Sequence, residues 1–320
     1  MSISENRTCR IGFVVVPDFS LITLASGIEP FRLANIAAGR KVFDYRTLAV
    51  FDRQVLSNDG VQMLAEDEIS TLDFDIVFLI ASLDAADFDS AKLSAWLRRL
   101  DRAGAMIAPV GAGTMIAARL GLMDGYQSVT HWRLYDRFQE QFPRVHLQRG
   151  VFCIDGRRAS GAGGASTTDL ALQVVANLVE PRIAVEVAEV VMVSKIRSGS
   201  DTQRLPTRWR FGIRDDRVAR AIELMEAYIE NPLPLETIAE RLGLSLRQLD
   251  RAFGRALGRT PKQQYVLIRL QSAQRLLLET SEPIYRIAIR SGFFDSAHFS
   301  SSFKSAFGIP PTEMRKRTAP

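Results

Sequence analysis

The feature that most constrains the fold of this chain is a helix-turn-helix pattern that occurs twice in its last third. Such a unit needs a small residue where its two helices touch, a glycine at the turn and aliphatic residues on the inner faces. Ala239 and Gly243 meet the first two requirements, and Ala288 and Gly292 repeat them 49 residues further along. One pattern of this kind is weak evidence, because many helix pairs imitate it. Its repetition at a fixed offset predicts a helical domain with two such units.

The segments around the two patterns fit the same interpretation. Ser245 follows the first turn as a helix N-cap, where its hydroxyl can accept a hydrogen bond from a free backbone N–H. The stretch Pro261–Glu279 can form one long helix between the units. A helix of about 17 residues is about 25 Å long. That length suffices to hold two recognition helices in successive major grooves on one side of DNA.

The basic residues are distributed unevenly along the chain, whose net charge is +5. From residue 206 onward, 19 Lys and Arg stand against 12 Asp and Glu, a net charge of +7, whereas residues 1–205 carry −2. A basic excess confined to one domain favours a polyanion as the partner of that domain. Together with the repeated pattern, this charge distribution predicts double-stranded DNA as a partner.

The first part of the chain alternates short apolar runs, typical of buried strands, with amphipathic segments typical of helices. This alternation predicts βαβ units and a sheet covered by helices on both faces, an α/β sandwich. A further helix is predicted for residues 181–197, and beyond 216 the pattern is all-α. Strands are predicted for residues 10–17, 42–51, 74–80 and 105–110, and helices for residues 22–37, 90–103 and 113–120.

Composition limits where the chain is expected to act. No apolar run approaches the ~18 residues that a membrane span needs. The first residues do not have the basic and apolar regions of a signal peptide. Only two cysteines occur, Cys9 and Cys153, which favours a reducing compartment over a disulfide framework. We therefore expect a cytoplasmic protein without membrane contact.

A series of short motifs runs through the last hundred residues. They are Thr260-Pro-Lys-Gln-Gln-Tyr265, Arg269-Leu-Gln-Ser-Ala-Gln-Arg-Leu-Leu277, Ile287-Ala, Gly292-Phe, His298-Phe and Phe307-Gly-Ile-Pro-Pro-Thr-Glu-Met-Arg315. With the two helix-turn-helix units, they make residues 216–317 resemble the DNA-binding domain of the AraC/XylS family of bacterial regulators. The resemblance implies a sequence-specific DNA-binding transcription regulator that also contacts RNA polymerase, with activation as the commoner direction.

Individual roles follow from the chemistry of base edges and phosphates. Arg247, Gln248 and Arg251 are predicted base contacts, because Arg pairs with guanine and Gln with adenine in the major groove. The second recognition helix is rich in serine, which contacts phosphates more often than bases, so it is expected to position the protein. His298 has an alternative role in helix capping or packing. The residues predicted to contact DNA are Ser245, Arg247, Gln248, Arg251, Asp295, Ser296, His298, Ser300 and Lys304, with Lys262 and Arg269 as phosphate contacts.

Residues 105–113 have the strand–turn–helix pattern of a nucleophile elbow, in which a helix N-terminus offers backbone N–H groups to an oxyanion. Related motifs lie around it. They are Val110-Gly-Ala-Gly-Thr114, Gly121-Leu-Met-Asp-Gly125, Thr130-His-Trp132, Ala25-Ser-Gly-Ile-Glu-Pro30 and Ser160-Gly-Ala-Gly-Gly-Ala-Ser-Thr-Thr-Asp169. These motifs resemble the PfpI-type, class I glutamine amidotransferase-like domain, which implies a flavodoxin-like fold. Together with the helical domain, the resemblance is to GlxA-type regulators and covers nearly the whole chain.

One position departs from the enzyme pattern. The nucleophile position falls on Gly111, which has no side chain to attack a substrate. Thr114 lies one helical turn onward and Cys153 on a strand, so neither replaces it, and His131 alone performs no acyl transfer. We therefore expect no catalytic residue, no metal ion and no cofactor. Two alternatives stay open: an amidase- or hydratase-type enzyme with a DNA-binding tail, and an architectural nucleic-acid protein without a ligand.

The retained elbow predicts a pocket for a small nitrogenous metabolite such as an amino acid or a betaine. The helix N-terminus near Gly111 suits a carboxylate, Glu29 can meet a cationic nitrogen, and the Trp132 ring can hold an ammonium group by cation–π attraction. Alternatively, Glu29 is a buried structural carboxylate and His131 and Trp132 belong to the core. The residues predicted to bind the effector are Glu29, Gly111, Ala112, Thr114, His131 and Trp132.

These observations predict three parts of the chain. Residues 1–197 form a PfpI-like domain for effector sensing and dimerisation. The helix 181–197 is a candidate contact of a homodimer; alternatively, it packs on its own sheet. Residues 198–215, polar and interrupted by Gly and Pro, form a linker. Residues 216–320 form the DNA-binding domain. The sensor is expected to change how the second domain acts on DNA.

Overall fold

A mostly parallel sheet lies at the centre of the first unit in a computed structural model, which describes residues 7–70 and 73–316. Its central strands are apolar because both of their faces are buried. The strands are β1 (Cys9–Val15), β2 (Phe43–Ala49), β3 (Gln54–Leu56), β4 (Gln62–Leu64), β5 (Asp67–Glu68), β6 (Ile76–Ala81), β7 (Met106–Gly111), β8 (Gln127–Val129), β9 (His146–Gln148), β10 (Phe152–Asp155) and β11 (Arg158–Gly161).

The sheet order is β10-β11-β7-β6-β1-β2-β5, and β3 pairs with β4 and β8 with β9 outside it. Each neighbouring pair in the sheet is parallel except β10 and β11. Helices cover both faces, with one apolar core on each. The predicted α/β sandwich is confirmed. Its helices are α1 (Leu21–Ala37), α2 (Ala91–Arg102), α3 (Gly113–Arg119), α4 (Tyr135–Gln141), α5 (Thr167–Leu178) and α6 (Pro181–Val190).

The chain that leaves the sandwich is more ordered than the sequence predicts. The predicted helix 181–197 ends at Val190, and Met192 has a φ of +55°, which a right-handed helix does not allow. Three of the four residues 190–193 are valines, whose restricted side chains lower helix propensity. Residues 198–203 of the predicted linker belong to the first unit, and the boundary between the units falls after Gln203.

Eight helices make up the second unit within its described residues, 204–316. Its core consists of two apolar clusters, one for each helix-turn-helix. The long helix α11 contributes Tyr265 and Ile268 to the first cluster and Leu276 and Leu277 to the second. The helices are α7 (Thr207–Arg210), α8 (Asp216–Ala227), α9 (Leu235–Arg241), α10 (Leu246–Leu257), α11 (Pro261–Glu279), α12 (Ile284–Arg290), α13 (Ser296–Phe307) and α14 (Pro311–Lys316).

The two turn glycines share a conformation but differ in their surroundings. Gly243 has a φ of +68° and Gly292 a φ of +76°, a left-handed region that favours glycine. A Cβ atom at Gly243 would meet no atom within 4 Å. At Gly292 the same atom would lie 2.4 Å from the carbonyl oxygen of Ile229 and 2.6 Å from the ring of Pro232. The second turn therefore needs glycine for space as well as for conformation.

No helix in the described part of the chain is long and apolar enough to cross a membrane. Residues 1–6, on which the expectation about a signal peptide rests, lie outside the described residues.

The two glycines predict unequal costs for the same substitution. Gly243→Ala is expected to destabilise the helical unit by about 1 kcal/mol, the cost of a left-handed L-residue. Gly292→Ala adds the overlap with Ile229 and Pro232, for a total of at least about 3 kcal/mol. Calorimetric unfolding of the full chain measures both variants in the transition of this unit. Equal losses would contradict the close packing at Gly292.

Candidate functional site

The first recognition helix, α10, presents a basic face to solvent. Leu249, Ala252 and Phe253 are buried in the core of the unit. On the opposite side, Arg247 and Arg251 are exposed. Arginines on the solvent face of a second helix of this motif are placed to reach base edges in the major groove. Both remain predicted base contacts.

Ser245 and Gln248 have a structural role that the sequence interpretation gave only to Ser245. The Ser245 hydroxyl accepts from the backbone N–H of Gln248 at 3.3 Å, and the Gln248 amide oxygen accepts from the backbone N–H of Ser245 at 2.8 Å. This capping box satisfies two free donors at the start of α10. A bidentate pair with adenine needs the same amide oxygen. In the structure, Gln248 is therefore a capping residue, and its predicted contact with a base would require this cap to open.

The second recognition helix, α13, begins with a different cap. The Asp295 carboxylate accepts from the backbone N–H of Ala297 at 2.8 Å, so Asp295 stabilises the helix start. Capping is accordingly not the role of His298, whose ring lies 5.7 Å from that of Phe293 and is otherwise exposed. The remaining predicted DNA contacts of this helix, Ser296, Ser300 and Lys304, are all exposed.

Arg269 is not available to a phosphate, contrary to the sequence prediction. Its Nε donates to the carbonyl oxygen of Ser291 at 2.9 Å, and a terminal nitrogen donates to that of Gly292 at 2.5 Å. The guanidinium lies 4.1 Å from the centre of the Phe293 ring, and burial lowers the pKa of Arg269 from its usual value. Arg269 thus fixes the second turn from α11. Lys262, near the start of α11, is exposed and remains a predicted phosphate contact.

The elbow of the α/β unit has the expected shape without a nucleophile. Gly111 ends β7 with a φ of +63°, and α3 begins two residues later. A Cβ atom at Gly111 would lie 2.9 Å from the carbonyl oxygen of Ala81. Ala112 and Thr114 are completely buried, and the Thr114 hydroxyl bonds to the carbonyl oxygen of Gly111 at 2.7 Å. The structure therefore does not expose Ala112 or Thr114 to a ligand.

The two thiols are poor nucleophiles. Both cysteines are free. Burial raises the pKa of Cys9 to about 12, with a smaller contribution from Asp75. Burial also raises the pKa of Cys153 above its usual value. Because the thiolate is the reactive form, neither side chain replaces a nucleophile at neutral pH.

A cavity of about 220 Å³ lies beside the elbow. Two residues of the predicted effector site, His131 and Trp132, line it. Gly163, another lining residue, packs against Gly111 of the elbow. The volume suits a metabolite of amino-acid size, since pockets for drug-sized ligands start at about 300 Å³. Its lining consists of His131, Trp132, Val151, Ala162, Gly163, Ala165, Ser166, Arg197 and Gln203.

Glu29 does not line this cavity. Its carboxylate accepts from Nε of Arg32, one helical turn along α1, at 2.8 Å, and both side chains are about half exposed. The hydrogen bond from Arg32 lowers the pKa of Glu29 from its usual value. The structure thus supports neither the predicted contact with a ligand nitrogen nor the buried carboxylate. Glu29 forms a surface ion pair.

His131 is neutral at physiological pH. Burial lowers its pKa to about 4, and the nearby Arg133 charge contributes in the same direction. The imidazole Nδ1 accepts from the backbone N–H of Arg133 at 3.2 Å, which assigns the remaining proton to Nε2. A neutral ring of this kind offers a ligand one N–H donor and no charge.

The sequence interpretation did not identify Arg197 or Gln203 as pocket residues. Both lie in the segment after α6, which the sequence presents as the end of a helix and a linker. Arg197 forms an ion pair with Asp169 at 2.7 Å. The Gln203 side chain accepts from the backbone N–H of Trp132 at 2.8 Å. The one available signal was that Gln203 stands in the motif Gln203-Arg-Leu-Pro206, which resembles the corresponding stretch of GlxA-type regulators.

Comparison with known proteins agrees with this organisation. Residues 238–317 match the family described as "Helix-turn-helix domain". The HTH-type transcriptional regulator GbdR of Pseudomonas aeruginosa is 32% identical over 314 residues, 98% of this chain and 86% of that protein. The HTH-type transcriptional regulator GlxA of Rhizobium meliloti is 32% identical over 318 residues, 98% of each protein.

Solved structures share the α/β fold. An AraC family transcriptional regulator from Pseudomonas putida has a TM-score of 0.53 at 21% identity, covering 57% of this chain and 99% of that one. A ThiJ/PfpI family protein from Pseudomonas syringae has a TM-score of 0.52 at 16% identity, covering 82% of this chain and 91% of that one. At these identities the likeness shows the fold alone, and it confirms the PfpI-like fold of the prediction.

The exposed face of α10 predicts that one arginine reads sequence. Arg251→Ala is expected to weaken binding to a duplex selected from random DNA by about 1–3 kcal/mol and to relax the preference at one base pair. Arg214→Ala removes the same charge from an exposed position outside both helix-turn-helix units and serves as the control. Fluorescence anisotropy measures both. An equal loss for Arg251→Ala on random DNA would mean that Arg251 contacts only phosphate.

Proposed function

Because this chain belongs to the AraC family of transcription regulators, in the group of GbdR and GlxA, we propose that a small nitrogenous metabolite controls it. The protein is a DNA-binding regulator with a helix-turn-helix output domain. The proposal concerns the α/β unit, which we take to be a sensor without catalytic activity. The observation that carries it is the cavity of about 220 Å³ beside an elbow that ends in Gly111.

The lining of the cavity suits a zwitterion. Nε and Nη2 of Arg197 face Asp169 at 2.9 and 2.7 Å, and Nη1 has no hydrogen-bond partner within the described part of the chain. A ligand carboxylate can bind there through a charge-assisted hydrogen bond. The Arg133 guanidinium lies 5.5 Å from the centre of the Trp132 ring, which already accommodates a cation. A ligand with a cationic nitrogen beside Trp132 and a carboxylate at Arg197 would be an amino acid or a betaine.

The same cavity offers little for hydrolysis. Gly111, at the nucleophile position, has no side chain, the Thr114 hydroxyl is buried, and both thiols have raised pKa values. His131 is a neutral ring, and the Ser166 hydroxyl of the same lining donates to the carbonyl oxygen of Gly163 at 2.7 Å. These features support a binding site in place of an active site.

The remaining partners follow from this function. We propose that the regulator activates transcription through contact with RNA polymerase, which is the direction that the family resemblance implies. Since its target is DNA, we propose that the protein acts in the cytoplasm.

We also propose a homodimer that forms through α6. One face of this helix, with Ile183 and Val187, is buried against the sandwich, whereas Val185 on the far side and Val190 at the end of the helix are 50% and 57% exposed. Two exposed valines along this helix favour a contact with a second copy of the chain.

The effector proposal predicts selective binding. Titration calorimetry of the full chain with glycine betaine, free amino acids, choline and acetate is expected to give heat only for ligands with both a carboxylate and a cationic nitrogen. Trp132→Ala is expected to weaken that binding about tenfold or more. Trp209→Ala, which removes an exposed indole from the other unit, is expected to bind normally. Absence of heat throughout the series, or normal binding by Trp132→Ala, contradicts the proposal.

The dimer proposal predicts a change of mass. Val185→Glu places a charge on the proposed contact and is expected to shift the chain from dimer to monomer in sedimentation velocity. Val61→Glu changes a valine of similar exposure in a loop elsewhere and is expected to remain dimeric. A dimer in both variants would exclude this helix as the contact.

A further inference from the structure

We propose that the segment 195–203, here called the strap, is a movable wall of the effector pocket and transmits ligand binding to the DNA-binding unit. This inference rests on the proposed function for the identity of the pocket. Two of the polar side chains that line the cavity, Arg197 and Gln203, belong to the strap, and they line it together with His131 and Trp132 of the sandwich. The pocket is therefore complete only when the strap is docked.

The first anchor of the strap is Arg197. Its backbone N–H donates to one carboxylate oxygen of Asp169 at 2.9 Å, and its Nε donates to the other at 2.9 Å. Asp169 lies in the first turn of α5 and is only 3% exposed. Since an unpaired buried carboxylate is very unfavourable, this anchor favours the docked strap. The same bonds to Asp169 hold the Arg197 guanidinium in place beside the cavity that it lines.

The second anchor is the side chain of Gln203. Its amide nitrogen donates to the carbonyl oxygens of Thr130 at 2.9 Å and Gly150 at 2.7 Å, and the Tyr135 hydroxyl lies 2.6 Å away. Its amide oxygen accepts from the backbone N–H of Trp132. One side chain thus ties the end of the strap to the segment that contains His131 and Trp132.

The middle of the strap is held by backbone contact. The carbonyl oxygen of Gly199 accepts from the N–H of Val151 at 2.8 Å. A Cβ atom at Gly199 would lie 2.6 Å from the carbonyl oxygen of Phe152, and one at Gly150 would lie 1.8 Å from that of Gly199. The two backbones approach so closely that a side chain at either glycine would separate them.

These contacts hold the strap without burying an apolar side chain of it. Ile196 is 40% exposed, and Ser198 and Ser200 are exposed. A segment held by hydrogen bonds and little apolar burial opens at a lower free energy than the core. A ligand that contacts Arg197 and Gln203 binds the docked strap in preference to the open one, and it shifts the equilibrium by that difference in affinity.

The strap leads directly into the output domain. Gln203 is the last residue of the first unit and Arg204 is the first of the second. When the second anchor is closed, the chain enters the DNA-binding unit from a fixed point on the sandwich; when it is open, about nine residues become a flexible connection. Ligand binding therefore selects between a fixed and a flexible attachment of the DNA-binding unit.

The test uses a substitution that lifts the strap without removing a residue that lines the cavity. Gly199→Ala in the full chain introduces the overlap with Phe152, and Ser200→Ala, its neighbour, introduces none. Hydrogen exchange of residues 195–203 reports docking, and anisotropy with a selected duplex reports DNA affinity. Gly199→Ala is expected to exchange faster in the strap and, without any ligand, to change DNA affinity by about fivefold or more, the lower range of allosteric coupling. Ser200→Ala is expected to match the wild type in both.

A second set of measurements uses glycine betaine and free amino acids as probes. Gly199→Ala is expected to bind about tenfold more weakly than Ser200→Ala, since binding must first restore the docked strap. Fast strap exchange with unchanged DNA affinity would overturn the inference, as would unchanged probe affinity where the wild type binds. If the wild type binds no probe, the effector class is wrong, and the ligand-free DNA measurement still decides whether the strap controls the output.

Discussion

The buried carboxylate of Asp169 is the group on which the proposed sensor pocket depends. A carboxylate at this depth needs a paired donor, and both the backbone N–H and the guanidinium of Arg197 supply it. Because Arg197 stands beyond the last helix of the sandwich, the chain must pass the pocket before it enters the DNA-binding unit. One electrostatic requirement thereby determines a wall of the pocket and the path of the chain that leaves it.

A half-buried arginine has a comparable role in the DNA-binding unit. Arg269 donates to the carbonyl oxygens of Ser291 and Gly292, where a left-handed glycine lies close to Ile229. The long helix α11 thereby fixes the turn that orients the second recognition helix. In both units an arginine side chain donates hydrogen bonds to a segment that is distant in sequence: Arg197 to Asp169, and Arg269 to Ser291 and Gly292. These bonds hold the segments that carry the proposed ligand-binding and DNA-binding surfaces.

The sequence predicted the features that depend on local pattern, and it missed those that depend on distant partners. The βαβ alternation, the repeated turn glycines and the strand–turn–helix elbow at Gly111 all follow from periodicity and residue type. Arg269 was predicted to contact a phosphate because a sequence shows the charge of an arginine. It does not show the hydrogen bonds to Ser291 and Gly292 that engage this side chain. The sequence assigned residues 198–203 to a linker because a polar segment gives no sign of the hydrogen bonds that dock it.

If ligand binding controls the output, the α/β unit and the DNA-binding unit are thermodynamically coupled through the pocket. Coupling of this kind is reciprocal, so a ligand that changes DNA affinity must have its own affinity changed by DNA by the same factor. The most direct measurement is calorimetric titration of the full chain with the bound metabolite, with and without a saturating selected duplex. If the two units are coupled, the ratio of ligand affinities measured with and without the duplex equals the ratio of DNA affinities measured with and without the ligand. Ligand affinity that is indifferent to DNA would contradict it.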